Sequence, residues 1–154
     1  MDRTVATSFI DGEIRDGGHH MQVRVYFEDT DALGMVYHAN YLRFMERGRT
    51  NYLRLLGTNQ RELFEDTQAE GDSGFGFVVR SMTIDFFKSA LMDDVLDVVT
   101  ASLEVRGASI TLIQEVRRGA DLLVKAAVRV AFVAGGKAQR IPKALRDAMG
   151  GDHL

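Results

Sequence analysis

The sequence predicts an α+β domain built as a strand, a long helix, four antiparallel strands and a short closing helix. Three observations carry this. Apolar residues alternate singly between Gln22 and Glu28, the two-residue period of a half-buried strand. From His38 to Leu56 they recur instead at the three- and four-residue spacing of a helix face. Between Phe75 and Val133 four more alternating segments follow closely, the last two joined only by Arg118-Gly119-Ala120-Asp121; such short connections suit antiparallel pairing, since parallel pairing needs longer crossovers.

The bulk properties bound the rest. With 154 residues and 45% apolar content, the chain can bury one sizeable core but not two. Nineteen basic and 22 acidic side chains leave a formal charge of -3, which gives no general attraction for nucleic acid or an anionic membrane. The absence of cysteine removes disulfides, thiolate catalysis and thiolate metal sites. No run resembles a signal peptide or reaches the roughly 20 apolar residues of a membrane helix, so the expectation is a soluble, cytoplasmic protein without membrane insertion.

Residues 1–21, with the polar run Asp16-Gly17-Gly18-His19-His20 just before Met21, read as a flexible N-terminal extension to a single domain spanning 22–150. In the first strand Val23, Val25 and Phe27 alternate with Arg24, Tyr26 and Glu28, and the strand is expected to stop near Asp29–Asp31. The helix presents Tyr41, Met45, Gly48, Tyr52 and Leu55 as one stripe, thickened by Leu42 and Leu56, with Arg43, Arg47, Arg49 and Arg54 largely outside it. It is roughly 28 Å long at 1.5 Å per residue, enough to cross a small sheet. Gly48 lies on the packed stripe, where a missing side chain permits close approach to strands, and Gly57 is a stop signal.

Residues 58–74 are polar and read as a loop or short helical excursion. In the strands that follow, Val78, Met82, Ile84 and Phe86 alternate with Arg80, Thr83 and Asp85. Val99, Ala101, Leu103 and Val105 alternate with Thr100, Ser102, Glu104 and Arg106. Ile110–Arg117 and Leu122–Val133 complete the set. Pro142 opens the last helix, with Leu145 and Met149 on one face. One helix covers one sheet face, so the apolar residues assigned to the other, including Phe87, Leu123, Ala127 and Val133, are expected to form a subunit interface.

The chemistry concentrates between Glu28 and Tyr41. Asp31, at the strand exit, suits a nucleophile toward a carbonyl or a general base toward water. The plainer reading is a turn residue, and Glu28 and Asp29 compete for the catalytic role. The helix start near Tyr37 and His38 offers amides without intrahelical acceptors, which can stabilise a developing oxyanion; one such donor is worth roughly 3 kcal/mol. A thioester suits a weak carboxylate nucleophile because thiolate leaves readily, and no metal is then required. His38 would contact the acyl carbonyl, orient water or cap the turn. Tyr37 and Tyr41 would line an acyl pocket or belong to the core, Asn40 would hydrogen-bond into the Asp31 loop, and Glu46 reads as a satisfied polar residue in preference to a secondary carboxylate in the cleft. His19-His20 is taken as flexible tail rather than zinc site, and Gly71, Gly74 and Gly76 lack the context of a phosphate cradle.

The segments Val23–Asp31, Gly34–Tyr41, Phe44–Arg49 and Val78–Phe86 resemble the hotdog-fold acyl-CoA thioesterases of the 4-hydroxybenzoyl-CoA thioesterase type, most closely the Tol-Pal-associated YbgC branch. The resemblance implies a long central helix wrapped by a five-stranded antiparallel sheet. It also implies a homodimer joined sheet edge to sheet edge, assembling to a homotetramer. The family's essential aspartate falls on Asp31, the amide that polarises the thioester carbonyl on His38, and an aromatic beside the acyl site on Tyr37. Lys88, in a Lys88-Ser89-Ala90 segment that takes the place of a frequent proline-containing turn, would meet a CoA phosphate or serve simply as an exposed edge lysine. Leu33 stands where a small residue is usual and is expected to narrow the loop at Asp31. The implied activity is hydrolysis of acyl-CoA, or of an acyl carrier protein thioester, to a free acid and thiol, with no cofactor besides the CoA of the substrate. A non-catalytic acyl-thioester-binding module of the same fold is the alternative.

Overall fold

A computed structural model of the chain describes residues 9–56 and 75–150. The predicted 58–74 excursion, the stop at Gly57 and the glycines at 71 and 74 lie outside the described residues. The elements are β1 (Glu13–Arg15), β2 (Gly18–Arg24), a 3-10 turn (Phe27–Asp29), α1 (His38–Leu55), β3 (Phe75–Phe86), β4 (Val95–Val105), β5 (Ser109–Arg118), β6 (Asp121–Ala134), β7 (Lys137–Ala138) and α2 (Lys143–Gly150). All strands pair antiparallel in one seven-stranded sheet of order β1-β2-β4-β5-β6-β3, with β7 also on β6.

The expected five strands become seven, and the difference begins in the lead-in. Residues 13–21 are not a flexible tail: Glu13–Arg15 pairs with Gly18–His20 across a tight turn in which Asp16 and Gly17 both adopt positive φ, and β2 continues against β4. His19 is fully buried, with its Nε2 2.6 Å from the Asp11 carbonyl oxygen and its ring against Tyr52. Burial pushes its pKa down, against the opposing pull of that carbonyl. At the other end of this strand, Phe27 has left the sheet and is exposed in the 3-10 turn.

Helix α1 packs against β2, β4 and β5. Its buried residues are Asn40, Tyr41, Phe44, Met45, Gly48, Tyr52 and Leu53. Phe44 and Leu53 therefore join the stripe, while Leu42 lies exposed. A Cβ at Gly48 would sit 3.0 Å from both Thr100 Oγ1 and Val98 Cγ1, so its missing side chain sets how closely the helix approaches β4.

The inward face of β4 departs from the predicted one, although Ala101 is buried and Val105 packs against the core. Leu96, Val98, Thr100 and Ser102 are buried, and Leu103 is exposed. Two polar residues occupy the inner face because each has a partner there. Gln114 Nε2 donates to Thr100 Oγ1 and to the Met45 carbonyl of α1, both at 2.9 Å, and Ser102 Oγ donates to the Met149 carbonyl at 2.9 Å. A bulge after Val79 likewise shifts the phase of β3, leaving Val78 exposed while Met82 and Ile84 are half-buried. Leu123, assigned to the outer face, is fully buried in the core, whereas Phe87 is exposed. Pro142 precedes α2, whose Leu145 and Met149 are buried.

Candidate active site

Asp31 opens a tight turn at the exit from the 3-10 segment. Its carbonyl accepts from Gly34 N at 3.1 Å, and its Oδ1 accepts from Leu33 N at 2.9 Å and Met35 N at 3.2 Å. This is an Asx-turn, so the turn role is real. It occupies only one carboxylate oxygen. Oδ2 makes no hydrogen bond among the described residues, and the side chain is exposed. Gly34 closes the turn at φ 79°, a left-handed conformation that glycine adopts without strain. Leu33 points outward at 78% exposure, so it does not narrow the loop in the chain itself.

The turn is tied to the helix start through Asp29. Its carbonyl accepts from Tyr37 N at 3.0 Å and from Asn40 Nδ2 at 2.8 Å. The Tyr37 amide is therefore taken. The next two amides, of His38 and Ala39, have no acceptor among the described residues, while Asn40 N bonds back to the Tyr37 carbonyl at 2.8 Å. Asn40 is buried and serves as a strut from helix to loop rather than a group facing a ligand. The loop's other side is fixed by Val36 N donating to the Ala90 carbonyl at 2.9 Å.

The rings divide into a buried member and an exposed set. Tyr41 is buried and its hydroxyl accepts from Ala90 N at 2.8 Å. Burial raises its pKa, with the Ala90 amide opposing. This ring thus holds the 88–90 segment instead of standing open to an acyl group. Tyr37, half exposed, lies 4.6 Å from the His38 ring, which meets Phe86 edge-on at 6.2 Å. Phe86 and Phe87 are themselves exposed. Glu46 is exposed two turns further along α1 and belongs to a different cavity.

Lys88 is not a free cation. Its Nζ pairs with Asp121 Oδ1 at 3.1 Å, and Asp121 also lies 3.7 Å from Arg118. Arg118 bonds Asp94 at 2.9 Å and reaches the Ser89 carbonyl at 3.3 Å. Lys88, by hydrogen bond and by charge, holds the Asp121 pKa below its usual value. Partial burial would raise that of Asp94, but the Leu91 amide and Arg118 outweigh it and the net direction is down. Ala90 and the Asp94–Arg118–Asp121 network carry no signal in the sequence. Asp29 carries one, its place in the acidic run, although it serves the site through its carbonyl while its carboxylate accepts from Tyr26 N at 2.9 Å.

The family comparison matches residues 25–149 to the thioesterase-like superfamily. The chain belongs to the thioesterase-like superfamily. This thioesterase-like chain is 45% identical over 135 residues to the acyl-CoA thioesterase YbgC of Haemophilus influenzae, an overlap of 86% of this chain and 95% of that one. It is 40% identical over 105 residues to the acyl-CoA thioester hydrolase YbgC of an Escherichia coli O6:H1 strain, covering 68% and 73% respectively. Among solved structures, a probable thioesterase from Bartonella henselae superposes with a TM-score of 0.74 at 40% identity, over 81% of this chain and 99% of that one. The α+β architecture is the hotdog fold of these thioesterases. Among the described residues no helix is long and apolar enough to cross a membrane, and no cluster of three or more metal-ligating side chains occurs.

Proposed function

We propose that this chain hydrolyses acyl-CoA thioesters to a free carboxylic acid and CoA, with Asp31 as the reacting carboxylate. The observation that carries the reading is the division of labour within that side chain: Oδ1 is held by two loop amides while Oδ2 stays open. A thioester carbonyl placed against the His38 and Ala39 amides would meet two unspent donors at the favourable end of the helix dipole. Asp31 then either attacks the carbonyl carbon, giving a tetrahedral adduct whose C–S bond breaks to release CoA thiolate and leave an acyl-aspartyl anhydride that water hydrolyses, or removes a proton from the attacking water. The superfamily membership and the acyl-CoA thioesterase relatives support this chemistry. The reaction needs no cofactor beyond the CoA that arrives with the acyl group, and an acyl carrier protein thioester would serve by the same steps.

Tyr37 and His38, with Phe86, would form the apolar wall for the acyl chain. Lys88 would have to exchange Asp121 for a CoA phosphate. The open edge of β3, with Val78 and Val79 exposed, suits pairing with a second copy into a homodimer and then a homotetramer.

Asp31→Asn tests the mechanism cleanly, because an asparagine oxygen can still accept from Leu33 and Met35. Turnover of acyl-CoA, followed by thiol release, should fall at least 100-fold with the far-ultraviolet dichroism unchanged. Undiminished hydrolysis would remove Asp31 from the mechanism. Tight acyl-CoA binding without thiol release by the unaltered chain would make it a binding module.

A further inference from the structure

We propose that the cavity beneath Arg49, between α1 and the sheet, binds a small apolar carboxylate of about the size of benzoate or hexanoate. The cavity has a volume of about 160 Å³. Its inner wall is apolar and deeply buried at Leu53, Ile110, Leu112 and Met149. An apolar void of about 150 Å³ admits one benzene ring. The polar groups at the rim are Glu46, Arg49 and Thr50.

Arg49 makes this volume a site. Its Nη1 donates to Gln114 Oε1 at 3.0 Å, and Gln114 cannot turn away because its Nε2 is committed to Met45 and Thr100. The guanidinium is thereby fixed with one donor engaged, and it forms no ion pair among the described residues. A guanidinium carries five donors, and a partly buried one is stabilised best by a carboxylate that engages two of them. Burial lowers the Arg49 pKa and the nearby Glu46 charge opposes this, which describes a cation short of counter-charge. Glu46 is exposed and makes no direct bond to it, so an incoming carboxylate has to outcompete only a solvated neighbour. From His38 to Glu46 the helix advances about 12 Å at 1.5 Å per residue, which separates this cavity from the Asp31 loop. The inference is independent of the reaction proposed above.

The test is a titration of the full chain, labelled with ¹³C at the methionine methyls, with benzoate and with hexanoate. The Met149 methyl should shift saturably in the millimolar range and should not shift with benzyl alcohol, which has the ring without the charge. Arg49→Met should weaken binding at least tenfold, Leu53→Phe should abolish it by filling the cavity from α1, and Glu46→Gln should strengthen it. A shift confined to the Met35 methyl, beside Asp31, would place the acid in the catalytic loop and overturn the proposal. So would absence of saturation, or equal response to benzyl alcohol. Should Arg49→Met fail to fold, the Leu53→Phe and benzyl alcohol comparisons decide alone.

Discussion

At the scale of single residues, Asp31 and Gly34 form one mechanical unit. The Gly34 backbone sits at φ 79° with nothing within 4 Å of where a Cβ would stand, so a side chain there meets no clash but strains the backbone. Gly34→Ala should lower stability by about 1 kcal/mol, measured by denaturant unfolding. Relaxing that strain moves the next amide, Met35 N, off Asp31 Oδ1, and kcat should fall several-fold with KM little changed. An unaltered kcat at that stability loss would show that the turn does not aim the carboxylate. Asp31 is legible in the sequence both as turn residue and as candidate acid, and the turn does not preclude the proposed chemistry, because it occupies Oδ1 alone. Lys88 is not legible, for a different reason. Its partner Asp121 lies 33 positions away, across the sheet, and no local pattern announces it.

Among the elements, the contact of α1 with β4 and β5 depends on a polar seam. Gln114, fully buried, makes three hydrogen bonds, to Met45, to Thr100 and from Arg49. Replacing it with Leu leaves the Thr100 hydroxyl and the Met45 carbonyl without that donor, and should cost about 2–4 kcal/mol in denaturant unfolding. Adding Thr100→Val should recover part of this, since removing both partners of a buried bond is less harmful than removing one. Purely additive losses would show that the two side chains are not coupled. This seam also explains which elements can be read in advance. Helices α1 and α2 are legible because apolar spacing and Pro142 act locally. The inward face of β4 is not, because Thr100 and Ser102 turn inward to meet partners 14 and 47 residues distant. Strand β1 is hidden for a related reason, its sequence being short and polar and its pairing made by the Asp16-Gly17 turn.

For the whole molecule, the sheet ends on one side in β3, whose outer edge has no partner among the described residues. Exposed apolar residues along such an edge favour strand addition from an identical copy. Light scattering should therefore return two or four times the 17.1 kDa chain mass, and Val78→Lys with Val79→Lys should lower it. A mass of one chain in the unaltered protein would refute edge pairing. Where the surplus of apolar residues falls needs the structure: Leu123 belongs to the core, while Val78, Val79, Phe86 and Phe87 are among the exposed apolar residues.

The amides that grip Asp31 come from residues 33 and 35, within its own loop. Under the proposed mechanism the acid would thus be aimed by a self-contained cassette rather than by the depth or lining of whatever chamber receives the acyl chain. Substitutions that reshape that chamber would then retune chain-length preference while leaving the carboxylate's direction intact, and one scaffold would diversify its substrates without rebuilding its chemistry.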